Sequence, residues 1–271
     1  MKELTLPNRD IIYYIDELTA LYIYNEIFVE KEYLKRGINI KDNDIIFDVG
    51  ANIGLFSRFA SSHASNLEIY AFEPILPIFK VLEANLKDIN AEVNLFNIGL
   101  GKEEKDIEFY YYPKVSGDST AIPFELERKT ELHVKHYKET ICQDIPIAKI
   151  VPKFLRKWVV KKGLKKVYES EKMTCHIVPL SSIIEKYNIE HINLLKIDAE
   201  NYEKHVIEGI KEHDWNKIEQ ISMEVHTHIP GGENLLDEIT DFLEDKGFKI
   251  KYGGETRETI LGVHMLYAIK E

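Results

Sequence analysis

The sequence predicts an α/β chain, a mostly parallel sheet with helices on both faces. Three observations predict it. Strand-like and helix-like segments alternate from Asp44 onward, as βαβ units do. The strand segments are short apolar runs, the pattern of strands buried on both faces. The chain has 271 residues, 44% hydrophobic and 30% charged, enough for a real core without disulfides or metals.

The elements follow in order. Residues 1–43 read as a helical cap, because Ile11, Ile12, Ile15, Leu18, Tyr22 and Ile23 recur near the helical period and Gly37 supplies a stop. The main domain spans 44–271. Asp44–Val49 is a strand, Leu55–Ser62 a helix and Leu67–Phe72 a strand. Ile75, Ile78, Phe79, Leu82, Leu86 and Ile89 mark a helix face. Val93–Ile98 and Asp106–Tyr112 are the third and fourth strands. From about 114 to 173 the alternation stops, and Gly and Pro punctuate an insertion of short helices, divided near Gly163. His133 and His136 within it read as exposed. Alternation then resumes: helix Leu180–Tyr187, strand Ile192–Ala199, helix Tyr202–Ile210, strand Ile218–Val225, a helix around Leu235–Leu243, and strands Phe248–Tyr252 and Val263–Ile269.

The formal net charge is -11. Such a surface disfavours nucleic acid, which needs clustered Lys and Arg. The charge is uneven: residues 149–172 carry +7, leaving -18 for the rest. Cys142 and Cys175 read as two reduced thiols rather than a disulfide framework. No apolar run spans a membrane and MKELTLPNRD lacks an apolar signal core, so the expectation is a cytoplasmic protein without stable membrane insertion.

Ligands of such sheets bind beyond the strand carboxyl ends. The first strand ends in Asp48-Val49-Gly50-Ala51-Asn52-Ile53-Gly54. Gly50 and Gly54 permit a tight turn and close backbone approach. The next strand ends in Phe72-Glu73-Pro74, and Glu73 suits a ribose diol. Two readings compete. A dinucleotide fingerprint wants Gly-x-Gly-x-x-Gly, but Asn52 stands where the second Gly belongs, and Asp48 repels phosphate. S-adenosylmethionine (SAM) has a ribose diol, an ammonium and a sulfonium but no phosphate, and it is favoured over a dinucleotide or a purely structural turn.

Together, DVGANIG, the later FEP and LLKIDAENYEKHVIEG resemble the FkbM family of methyltransferases. EIFVEKEYL and SGDST also match its pattern. The resemblance covers roughly Ile27 to Val225 outside the basic insertion. It implies a class I, Rossmann-like methyltransferase fold with a mostly parallel seven-stranded sheet. It also implies methyl transfer from SAM, usually to oxygen, on bacterial sugars, polyketides and related natural products. One position departs: the family usually has Gly after the IDxE carboxylate, and this chain has Asn201, which tolerates left-handed backbone.

At the later strand ends, side-chain alternation puts Asp198 and Glu200 on one face and Glu224 and His226 on one face. If those strands are neighbours, the four meet across the site. His226 or Asp198 is the candidate general base, with Glu224 orienting the pair and Glu200 beside it. Further cofactor candidates are Tyr33, on the family-like segment before the first strand, Ile98 and Gly99 at the third strand end, and Ser119 in the SGDST stretch. The cluster also suits Mg²⁺ or Mn²⁺, and IDAEN loosely resembles catechol-type enzymes, but a metal is not favoured.

The reading is therefore a SAM-dependent O-methyltransferase acting on a small-molecule, glycan or carrier-bound hydroxyl. The alternatives are metal-dependent transfer on the same fold, SAM binding without chemistry, and a NAD-dependent oxidoreductase. For the basic segment 149–172, the candidate partners are an acidic carrier protein, a phosphorylated or nucleotide-activated sugar, and an anionic surface.

Overall fold

The computed structural model describes residues 1–143, 145–229 and 231–270. The chain opens with β1 (Lys2–Thr5) and β2 (Ile11–Tyr14), then α1 (Glu17–Tyr24), a π-helical turn at Asn25–Val29 and a 3₁₀ turn at Glu32–Leu34. The alternating part comprises β3 (Ile45–Val49), α2 (Leu55–His63), β4 (Leu67–Phe72), α3 (Leu76–Leu86), β5 (Ala91–Phe96), β6 (Gly99–Leu100) and β7 (Lys105–Tyr111). The insertion holds α4 (Leu126–Lys135), α5 (Tyr137–Thr140) and α6 (Lys153–Val167), and β8 (Glu171–Val178) follows. The chain continues through α7 (Leu180–Lys186), β9 (Leu194–Ile197), α8 (Glu203–Glu208), β10 (Gln220–His226), α9 (Leu235–Asp245), β11 (Phe248–Tyr252), α10 (Arg257–Ile260) and β12 (Val263–Lys270).

Seven strands form the main sheet in the order β11-β12-β10-β9-β3-β4-β5. Neighbours among β10, β9, β3, β4 and β5 are parallel, and β12 runs antiparallel to β10 and β11. Both faces are covered. Ile46 and Ile69 pack into one buried cluster with α2 and α3, while Phe47 and Tyr70 pack into the other with α7 and α9. Successive side chains on one strand thus serve opposite cores.

The strand order reverses at β3, whose neighbours are β4 and β9. This is the switch point where open α/β sheets bind ligands. Gly50 sits there with φ +71°, and a Cβ on it would lie 1.7 Å from the Asp198 carbonyl oxygen. A left-handed non-glycine residue alone costs about 1–2 kcal/mol, and this clash is with backbone. Gly50→Ala is therefore expected to lower unfolding stability by more than 2 kcal/mol, read as the urea midpoint; an unchanged midpoint would contradict the close approach.

Several expectations need correction. The N-terminal segment is not helical throughout: β1 and β2 form an antiparallel hairpin. Its turn uses Pro7-Asn8 and Arg9 at φ +74°, a signal that outweighs the helical spacing. Asn85 of α3 clamps the hairpin, accepting from Tyr13 N at 2.7 Å and donating to Tyr13 O at 2.9 Å. The fourth strand, β7, lies outside the main sheet and pairs with β8, which in turn pairs with β6. The insertion, expected to end near residue 173, gives way to β8 at Glu171. Helix α6 runs unbroken through Gly163, and His133 is buried rather than exposed. Cys142 and Cys175 are both free and buried.

Candidate active site

At the switch point, the turn after β3 folds back on β4. Gly50 N and Ala51 N both donate to Phe72 O, at 3.1 and 2.9 Å. This brings Asn52 N within 3.2 Å of Glu73 Oε2, and Ile75 N donates to Glu73 Oε1 at 2.8 Å. Two backbone amides thus fix the Glu73 carboxylate, and each oxygen keeps acceptor capacity for a ligand. Burial pushes Glu73 up to about 7, although those amides and Lys196 pull the other way.

Glu73 lies on a cleft of about 590 Å³, part of it open to solvent. Of the residues expected to bind the cofactor, Gly50, Asn52, Glu73, Pro74, Gly99, Ser119 and Asp198 line it, as does Glu200. Its ionisable acids are Glu73, Asp198 and Glu200, and no Lys or Arg faces it among the described residues. Such a lining offers a pyrophosphate no cationic partner and offers acceptors to a hydroxyl-rich sugar. The residues present fit SAM: the cleft volume is in the range of small-molecule sites, and Glu73 can accept from both ribose hydroxyls.

Four expected cofactor residues do not line the cleft. Asp48 is fully buried beneath it, accepting from Ser57 Oγ at 2.7 Å and facing Lys196 Nζ at 3.3 Å. Gly54 (φ +86°) is a spacer: a Cβ there would meet Leu82 Cδ1 at 2.8 Å. Ile98 packs against the second core cluster. Tyr33 is buried edge-on against Phe56, and its hydroxyl serves a different part of the site.

That part is a junction between two cavities. Lys196 Nζ donates to Gly50 O at 2.8 Å and faces Asp198 Oδ2 at 3.5 Å. Burial alone would lower this lysine, but Asp48 and Asp198 outweigh it and raise it. Tyr33 OH lies 2.9 Å from Asp198 Oδ2 and 3.3 Å from Glu224 Oε2. Glu224 lines a second cavity of about 530 Å³ with Tyr22, Glu26, Glu30, Glu32 and Glu258. Asp198 therefore faces the first cavity, Glu224 the second, and Tyr33 joins them. Burial, with the charges of Asp198 and Glu26, holds Glu224 well above the usual carboxylate range. The Tyr33 hydroxyl thus faces both carboxyl groups, with Asp198 the nearer acceptor.

Glu200 and His226 form the other half. β9 and β10 are parallel neighbours, so His226 Nε2 comes within 3.4 Å of Glu200 Oε2. Its Nδ1 lies 2.8 Å from Glu203 Oε1. Burial disfavours the imidazolium, but Glu200, Glu203 and Glu224 outweigh it and raise His226. His226 lines neither cavity and is clamped as a cation, so Asp198 is better placed than His226 to take a substrate proton. Glu200 and Asn201 take left-handed backbone at φ +45° and +75°. Asn201 thus holds a left-handed turn, a backbone that asparagine tolerates better than most residues. Thr120 Oγ1 donates to Glu200 O, and Asn201 Nδ2 donates to Ile122 O at 3.1 Å. The Ser116–Thr120 loop is thereby pinned to the strand end.

Lys196 and Glu203 were not among the residues expected at the site, and Thr120, in the SGDST stretch expected near SAM or the acceptor, instead pins that loop to the strand end. Lys196 carried a signal: a charge inside the apolar run INLLKIDA must be paired when buried. Glu203 carried none, since its partner His226 is 23 positions away in sequence.

Ligand atoms of Asp198, Glu224 and His226 lie within 4.8 Å of one another, close enough for a divalent cation. The donor set fits one poorly, because both His226 nitrogens face carboxylates and the Lys196 ammonium already faces Asp198.

The topology, with its cleft at the switch point, is that of the class I methyltransferase fold. The chain belongs to the FkbM methyltransferase family, whose model, described as Methyltransferase FkbM domain, matches residues 48–250. It is 29% identical over 255 residues to 31-O-demethyl-FK506 methyltransferase FkbM of Streptomyces tacrolimicus, covering 92% of this chain and 90% of that protein. It is 30% identical over 258 residues to methyltransferase sdnD of Sordaria araneosa, covering 92% and 89%. It is also 30% identical over 249 residues to AMB antimetabolite synthetase AmbE of Pseudomonas aeruginosa, matching 92% of this chain but 11% of that protein. Among solved structures, a Methanococcus jannaschii fibrillarin pre-rRNA processing protein overlays loosely, with TM-score 0.46 and 13% identity, covering 100% of this chain and 82% of that one.

Proposed function

We propose that the protein transfers the methyl group of SAM to a hydroxyl oxygen of a sugar, glycan or natural-product intermediate. The observation that carries this reading is the junction. Asp198, on the cleft suited to SAM, is linked through the Tyr33 hydroxyl to Glu224, on a second cavity. The name of the Streptomyces relative supports oxygen as acceptor. When bound, SAM supplies a methyl on a positively charged sulfur, open to in-line displacement.

The chain's own residues do the rest. Glu73 holds the ribose end. Asp198 takes the acceptor's O–H proton as the new O–C bond forms and the C–S bond breaks. The Lys196 ammonium and the Tyr33 hydroxyl orient Asp198 from either side. Alignment of donor and acceptor supplies much of the rate, up to about 7–11 kcal/mol in ideal systems. Among the described residues no helix is long and apolar enough to cross a membrane. The two buried free thiols support a reducing, cytoplasmic setting.

The test incubates the protein with deuterium-labelled SAM and a panel of nucleotide sugars, carrier-tethered hydroxyacyl groups and glycolipids, read by mass spectrometry. A labelled O-methyl product is expected. Label on nitrogen or carbon would overturn oxygen transfer. A second expectation follows from Glu73. Its ionised form accepts from the diol, so SAM affinity rises with pH through about 7. From pH 6 to pH 8 calorimetry should show a gain of about tenfold, the change in ionised fraction, and Glu73→Gln should flatten the profile. A flat wild-type profile would remove Glu73 from the cofactor contact.

A further inference from the structure

The +7 segment is left unused by methyl transfer. The structure turns it into a surface. Helix α6 buries Val160 and part of Leu164 and pairs Lys157 and Lys161 with Glu127 of α4. Beside that face, α6 and the 3₁₀ turn before it, Pro146–Ile150, carry large apolar side chains in solvent. Phe154 is 82% exposed, Ile150 78%, Ile147 71% and Trp158 63%. Single exposed apolar residues need no explanation, but here Phe154 and Trp158 stand one helical turn apart and Ile147 and Ile150 lie in the turn just before them, and clustered exposed apolar side chains mark an interaction site.

Lysines surround the patch. Lys149, Lys153, Lys162 and Lys165 are exposed and form no ion pair among the described residues. The Lys162 ammonium lies 5.0 Å from the centre of the Trp158 ring. Long lysine stems can lie along apolar surface while their heads reach polar groups. Trp, Phe and Ile amid Lys is the composition of interfacial helices that rest on lipid headgroups.

We infer that the 147–165 face of the insertion docks the protein on a membrane surface carrying anionic lipid. The charge requires an anionic partner, and a second copy of this patch would be repelled. The apolar side chains stand on a convex helix rather than in a groove. A bilayer interface accepts such side chains, whereas a phosphorylated sugar offers them nothing. The face is also tied to the cleft. Tyr168, just beyond α6, donates to Asp118, which sits in the loop whose Ser116, Gly117 and Ser119 line the cleft. Docking would hold that loop beside a membrane-borne acceptor. The surface itself does not depend on the methyl-transfer reading.

Trp158 provides the probe. The chain has two tryptophans, and Trp215 is buried, so an emission shift on vesicles reports Trp158. Full-length protein is titrated with phosphatidylglycerol-containing vesicles and with pure phosphatidylcholine vesicles. A blue shift and co-sedimentation are expected on the anionic vesicles, weakening with salt. Each lysine near an anionic surface contributes about fivefold to adhesion. Lys153→Glu/Lys162→Glu/Lys165→Glu should therefore lose it by at least ~100-fold. Phe154→Ser/Trp158→Ser should also lose co-sedimentation, with SAM affinity unchanged as the folding control. No shift on anionic vesicles at low salt would overturn the inference. So would equal binding to neutral vesicles, or binding of an acidic carrier protein by this face without vesicle binding.

Discussion

Asp198→Asn should reduce methyl-transfer turnover by about 10²–10⁴-fold, the range for loss of a general base. SAM affinity should stay within a few-fold. Asn keeps the size and can still accept from Tyr33, whose hydroxyl lies 2.9 Å from Asp198 Oδ2 in the wild type. It cannot take the acceptor's proton. Single-turnover kinetics beside calorimetric SAM binding would separate the two effects. Tyr33→Phe removes only the link between Asp198 and Glu224 and should cost less. Full turnover in the Asn variant would show that the proton goes elsewhere.

Lys196→Met should be the most destabilising of the site substitutions. Its ammonium faces Asp48 at 3.3 Å and Asp198 at 3.5 Å, and it is almost wholly buried. Removing one partner of a buried pair leaves an uncompensated charge, a loss of about 3–5 kcal/mol. For a domain of this size that is on the order of a 10 °C fall in Tm. Asp48→Asn in the same chain should recover part of the loss, because Asp48 then has no charge to neutralise. A Lys196→Met protein that melts with the wild type would mean the pair is not buried as described.

Much of the frame was legible because burial on both faces writes continuous apolar runs. Leu67–Phe72 matches β4 end to end, and Phe248–Tyr252 matches β11. The Gly50–Gly54 turn was legible because positive φ favours glycine. The hairpin at Lys2–Tyr14 was not, since Ile11, Ile12 and Ile15 fit a helical spacing as well as a strand. β7 was visible as a strand, but no local pattern says which sheet a strand joins.

The site divides in the same way. Asp198, Glu200, Glu224 and His226 were readable as strand-end residues, and the adjacency of β9 and β10 brings them together. Asp48 lies beneath the cleft rather than on it: its partner is on a strand 148 positions later, and only the β3–β9 pairing sets it beside Lys196. Tyr33 was likewise expected over the cofactor. Its partners, Asp198 and Glu224, become neighbours only once the sheet has formed.

The central claim is that the switch-point cleft holds SAM through Glu73. Titrating SAM into wild-type protein and into Glu73→Gln at pH 8, by calorimetry, tests it most directly. The account expects saturable one-site binding to the wild type and at least about tenfold weaker binding to the variant, the loss of a charge-assisted hydrogen bond. No saturable binding to the wild type, or equal affinity for the two proteins, would contradict it.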